Sequence, residues 1–187
     1  MNMKKILILF VAVTFSLTQL VAQESTFSKG DKVLNLGIGL GSTLYSGSFY
    51  KGAVPPISAS LEVGVVDEVL EKGSIGVGGY VGYSSYKYQY TDWGWKYSNI
   101  IIGARGSFHY PLVDKLDTYT GLLLGYNIAT SKEFGNITPG FDYSYSAGGL
   151  QTAWFLGGRY YFKETFAVLA ELGYGIAYLT LGISLKM

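Results

Sequence analysis

The feature that most limits what this chain can fold into is the alternation of its apolar residues with Gly, Ser, Thr and Asn, which from Lys32 onward has a period of two. Successive side chains of a strand point to opposite sides, so this period writes strands with one apolar face, whereas an amphipathic helix repeats near 3.6. In the first run Leu34, Leu36, Ile38 and Leu40 share one face, and Asn35, Gly37, Gly39 and Gly41 share the other. The second run sets Ile57, Ala59, Leu61, Val63 and Val65 against Ser58, Ser60, Glu62 and Gly64. Eight such runs are expected, near residues 33 to 45, 56 to 66, 74 to 86, 96 to 110, 117 to 129, 148 to 162, 165 to 173 and 176 to 187. The fold class is all-β.

The connections sort the runs into an architecture. Asp67 to Gly73, Pro111 to Leu116 and Lys163-Glu164 are short, whereas Ser46 to Pro55, Lys87 to Trp95 and Thr130 to Ala147 are longer; the last, near Tyr174-Gly175, is short again. Short turns at one end and long loops at the other are the pattern of a transmembrane antiparallel up-and-down β-barrel, with the short turns periplasmic. Ahead of the runs, Lys4 and Lys5 precede the apolar stretch Ile6 to Phe15, and Ala22 is a small residue at a plausible cleavage point. About ten apolar residues are too few to span a bilayer, which needs about 20, so residues 1–22 read as a cleaved signal peptide and residues 23–187 as one barrel domain.

Which face closes inward decides between a membrane barrel and a soluble ligand-binding barrel. An eight-stranded lumen is barely wide enough for side chains, so the inner face must carry compact or mutually pairing groups. Gly37, Gly39, Gly41, Glu62, Gly76, Gly78, Arg105, Gly157, Arg159, Glu171 and Gly173 supply such a face. Glu62 and Glu171 are expected to meet Arg105 and Arg159 across it, because an isolated buried charge is costly. The Leu, Ile and Val face then meets lipid, apart from Leu123, which shares a parity with Gly121, Gly125 and Asn127. Tyr45, Tyr83, Tyr86, Tyr97, Phe108, Tyr110, Trp154, Tyr160, Phe162 and Phe166 stand near run ends, where barrels concentrate rings at the membrane interfaces.

The segment Ala170-Glu171-Leu172-Gly173-Tyr174-Gly175-Ile176-Ala177-Tyr178-Leu179-Thr180-Leu181-Gly182-Ile183-Ser184-Leu185-Lys186-Met187 resembles the terminal hairpin of the OmpA/OmpX-like small outer-membrane β-barrels. The resemblance implies the cell outer membrane as location, with its lipid and the barrel-insertion machinery as partners. Members usually end in an aromatic residue, most often Phe, where this chain has Met187, yet Leu179, Leu181, Ile183, Leu185 and Met187 keep the outward register.

Composition narrows the chemistry. The chain carries 14 Lys and Arg against 13 Asp and Glu, two of the lysines in the leader, and this near-neutral balance argues against a nucleic-acid partner. With 0 Cys there is no disulfide, thiolate metal site or lipoprotein anchor. His109 is the single histidine, with Ser107 and Arg105 on its face. A lipid A acyl hydrolase or acyltransferase would place Ser and His near lipid, but parity aims both inward at the short-turn end. Gly37-Ile38-Gly39-Leu40-Gly41 is no phosphate loop, since no helix follows it. Asn136-Ile137-Thr138 is a chance sequon in a bacterial context.

No catalytic residue, cofactor or metal site is therefore assigned. The sequence favours a non-enzymatic barrel with an envelope-structural or surface-interaction role through its loops, where Ser85 to Tyr97 and Phe141 to Tyr145 are rich in rings. A lipid-modifying enzyme using His109, a soluble ligand-binding barrel and a pore are the alternatives.

Overall fold

The computed structural model describes residues 25–44, 50–90, 93–135 and 144–187. The expected signal peptide, Tyr45, the Asn136-Ile137-Thr138 sequon and Phe141-Asp142-Tyr143 lie outside these residues. Among the described residues eight strands form a closed barrel: β1 (Lys32–Ser42), β2 (Tyr50–Val69), β3 (Gly73–Tyr90), β4 (Trp93–Val113), β5 (Leu116–Gly135), β6 (Ser144–Lys163), β7 (Phe166–Gly173) and β8 (Ala177–Lys186). Each strand pairs antiparallel with its sequence neighbour, and β1 closes the ring on β8 from Val33↔Lys186 to Ser42↔Ala177. Closure matters physically because it satisfies the backbone groups that an edge strand would leave unpaired.

The alternation sets the faces as expected. Leu36, Ile38, Leu40, Ile57, Leu61, Val77, Val81, Leu181 and Ile183 point outward and remain exposed, whereas Asn35, Ser60, Glu62 and Arg159 are buried inside. Inward glycines let the walls come close. A Cβ at Gly78 would stand 2.2 Å from the carbonyl oxygen of Leu61, and one at Gly182 would stand 2.0 Å from that of Leu36. The inner face is less uniformly polar than expected: Val33, Ile101, Leu169 and Ile176 join Leu123 inside. Most of these pack with Ala153 and Phe155, because glycine on neighbouring strands leaves room that only an aliphatic side chain fills.

The wall is uneven in height. β2 to β6 run 18 to 21 residues, but β1, β7 and β8 only 8 to 11. Much of 87–95 and 130–147, expected as loops, instead continues the strands, with Lys87 paired to Lys96 and Lys132 to Ser144. Above the apolar belt neither face meets hydrocarbon, so the hydropathy period fades while the strand propensity of Tyr, Trp and Thr persists. The long strands thus rise as a crown. Two of its expected interface rings, Tyr86 and Tyr97, sit opposite each other on the inner face, since Tyr86 shares the parity of Gly82 and Ser84.

At the other end the turns are tight. Lys115, with φ 63°, adopts the left-handed conformation in the β4–β5 turn. The segment before β1 folds across this mouth: Gly30 N donates to Gly64 O (2.9 Å), Gly64 N donates to Asp31 O (3.0 Å), and Phe27 enters the lumen, where it is fully buried.

Candidate functional site

The barrel interior is a stack of charges and rings. At the turn end Glu62, His109, Asp117 and Arg159 form a closed four-membered ring. The imidazole Nε2 lies 3.0 Å from Glu62 Oε1 and Nδ1 lies 2.8 Å from Asp117 Oδ1. Arg159 donates Nη1 to Asp117 Oδ2 (3.0 Å) and Nη2 to Glu62 Oε2. Each carboxylate thus gives one oxygen to the histidine and one to the arginine. Two acids face two bases, and the ring is charge-balanced when the imidazole carries both protons.

Aromatic rings close this layer on both sides. Phe27 stacks on His109 at 4.0 Å between centroids, and the Arg159 guanidinium stands 4.6 Å from the Tyr119 ring centre. One layer further in, Arg105 donates to Glu171 Oε2 at 2.6 Å, the Tyr119 hydroxyl donates to the same oxygen at 3.0 Å, and the guanidinium lies 3.8 Å from the Phe155 ring centre. The expected pairing of Glu62 and Glu171 with Arg105 and Arg159 is therefore present, as Glu62–Arg159 and Glu171–Arg105. A guanidinium between two rings and a carboxylate is held by charge, hydrogen bond and ring quadrupole together.

The sequence reading missed Asp117, Tyr119, Phe155 and Phe27. Parity would have found the first two: Asp117 and Tyr119 share a face with Gly121 and Leu123, and the β4–β5 hairpin sets Tyr119 opposite His109. Phe27 precedes the first strand, so no alternation marks it.

This interior is built to be full. The space bounded by Tyr80, Arg105, Leu123, Phe155 and Ile176 amounts to about 20 Å³, room for one water. His109 has both ring nitrogens within hydrogen-bond distance of carboxylates, and among the described residues no hydrogen bond joins it to the buried Ser107 hydroxyl, as a nucleophile and its base would require. Among the described residues no group of three His, Asp or Glu side chains is arranged to hold a metal ion. A soluble ligand-binding barrel needs the reverse arrangement, an open apolar lumen inside a polar wall.

The second feature is the crown, whose inner-face rings are buried at Tyr86 and half-buried at Tyr88, Trp95 and Tyr97. On its inner face Tyr86 pairs with Tyr97 and Tyr88 with Trp95, two successive rows of facing rings.

No protein-family model and no curated protein matches this chain. Among solved structures it is similar to Ail, the attachment invasion locus protein of Yersinia pestis, at 13% identity and a TM-score of 0.47, over 84% of this chain and 95% of that one. It is also similar to the Yersinia pestis outer membrane protein Ail in a phospholipid bilayer nanodisc (16% identity, TM-score 0.42, 85% and 100%). The N-terminal β-barrel domain of Pseudomonas aeruginosa OprF is similar too, at 15% identity and a TM-score of 0.46, over 86% of this chain and 98% of that domain.

Proposed function

We propose that the protein is a non-enzymatic barrel of the cell outer membrane that anchors a surface-interaction crown. The observation that carries this reading is the inversion of polarity: aliphatic side chains face outward all around a closed ring whose interior is a filled, paired stack of charges and rings. So continuous an exposed apolar surface is stable only when lipid covers it, and a filled eight-stranded lumen conducts little. Cleavage of residues 1–22 accompanies export, and the barrel-insertion machinery and outer-membrane lipid are the partners this location requires. An extracellular partner would meet the crown, where the Tyr and Trp rows on its inner face suit a recognition surface.

The test separates this reading from lipid A chemistry. In the first arm, mass spectrometry of lipid A from cells with the protein, without it, and with His109→Ala should give the same acyl pattern. In the second, replacing residues 87–96 by Asn-Gly closes Tyr86 and Tyr97, which already pair, with a two-residue turn, and should leave heat-modifiable gel mobility intact while abolishing surface binding or adhesion. An acyl chain lost or gained in a His109-dependent way, or binding that survives the replacement, defeats the proposal.

A further inference from the structure

Four lysines on four adjacent strands of the crown stand in one row. Lys51 of β2 pairs with Lys87 of β3, Lys87 with Lys96 of β4, and Lys96 with Lys132 of β5. Residues directly opposite in an antiparallel ladder share a face with Cβ atoms about 4.5–5.5 Å apart, and like charges there destabilise the pairing. Three consecutive repulsions are hard to account for if the row meets only water. Among the described residues none of the four is in an ion pair, and Glu133, next to Lys132 in sequence, points to the opposite face. Lys87 lies 5.3 Å from the ring centre of Phe134.

Their height on the wall suggests what balances them. Parity turns the row outward, onto the face of the apolar belt. Directly below it, Ser85, Ser98 and Thr130 form a row of hydroxyls, and below that Tyr83, Ile100 and Ile128 form the upper edge of the belt. Two residues of strand rise about 7 Å, so the wall passes from apolar through hydroxyl to cationic within about 14 Å of strand. With strands tilted by about 35–45°, each lysine Cα stands about 10 Å above the belt residue of its own strand, and the row slants by about 3 Å from one strand to the next. A headgroup layer is about 5–8 Å deep on each side of the hydrocarbon, and ammonium groups on four-carbon stems reach down into it.

We propose that Lys51, Lys87, Lys96 and Lys132 form a binding row for the phosphate groups of anionic lipid headgroups in the leaflet around the crown. The inference rests on the membrane reading above. Phosphates bridging neighbouring ammonium groups replace repulsion with attraction, and a lipid bearing two phosphates fits a row of evenly spaced cations better than one bearing a single phosphate.

The experiment uses the folded chain in phosphatidylcholine nanodiscs with a minor fraction of a fluorescent lipid, and reads energy transfer from tryptophan to labelled phosphatidic acid against labelled phosphatidylcholine. At about 1 kcal/mol per lysine near a charged surface, a tenfold preference for the phosphatidic acid needs fewer than two of the four lysines, so the wild type should show at least that. K51Q/K87Q/K96Q/K132Q should fall below about twofold, fold in pure phosphatidylcholine at least as stably as wild type, and lose the salt sensitivity of exposed charges. K72Q/K115Q/K163Q, at the turn end, should keep the preference. An unchanged preference in the quadruple variant overturns the proposal. So does the absence of any preference in a wild type that captures heparin from solution, which would make the row a site for soluble polyanions. A chain that folds in plain buffer and refuses the nanodisc overturns the membrane reading, and this inference with it.

Discussion

Arg159→Met tests whether the interior stack holds the barrel together. The side chain is fully buried and is the shared cation of Glu62 and Asp117. Removing one partner of a buried ion pair costs about 3–5 kcal/mol, because the remaining charge is stranded. The cost is not doubled here, since both carboxylates keep their bond to His109 and a single cation is lost. Losing the guanidinium from the face of Tyr119, 4.6 Å away, adds about 0.5–2 kcal/mol. The expected total is about 3.5–7 kcal/mol, a large share of the ~5–15 kcal/mol by which domains are stable. Asp117→Asn in the same chain removes the stranded charge and leaves Glu62 paired with His109, so the double variant should be more stable than Arg159→Met alone by about 2 kcal/mol. Urea titrations in phospholipid vesicles, followed by tryptophan fluorescence and by heat-modifiable mobility, measure both. A loss below about 1 kcal/mol for Arg159→Met, or a double variant whose loss equals the sum of the single losses, refutes the reasoning.

Two further outcomes test the register of the wall. Leu61→Arg places a cation on the outer face and should cost about 2–4 kcal/mol in a bilayer, whereas Leu123→Arg enters the packed lumen opposite Arg105 and should cost more; equal losses would contradict the assigned faces. Gly182→Ala should prevent folding, since its Cβ meets the Leu36 carbonyl oxygen at 2.0 Å, while Gly79→Ala, with nothing within 4 Å, should leave thermal stability in vesicles unchanged or raise it by about 0.5–1 kcal/mol.

How much of this was legible follows from what a hydropathy period can encode. The belt strands were readable because each must separate an apolar from a polar face, so Leu34 to Leu40 and Ile57 to Val65 declare their register in sequence. The crown was not. Above the belt the stretch Lys87, Tyr88 and Gln89 has hydrocarbon on neither side, and a strand that divides nothing writes no alternation. In the interior, four charged residues were found because charge on a small-residue face demands a partner. Asp117 escaped because it stands at the mouth of a turn, where a carboxylate reads as solvated. Phe27 escaped because its place depends on how the chain folds back across the barrel, a long-range fact with no local trace.

The uneven height of the wall divides the molecule into two regimes of cooperativity. Among the described residues β6 above Trp154 has ladder partners only on β5, and β2 before Ile57 only on β3, so the crown is a curved sheet with two open margins standing on a ring that has none. In the ring every strand is clasped from both sides, and no backbone hydrogen bond can be released without disturbing its neighbours around the circumference. In the crown, bonds can be lost singly, from the tip and from either margin inward, at free energies far below that of global unfolding. The crown can thus remodel itself while the ring beneath keeps its shape.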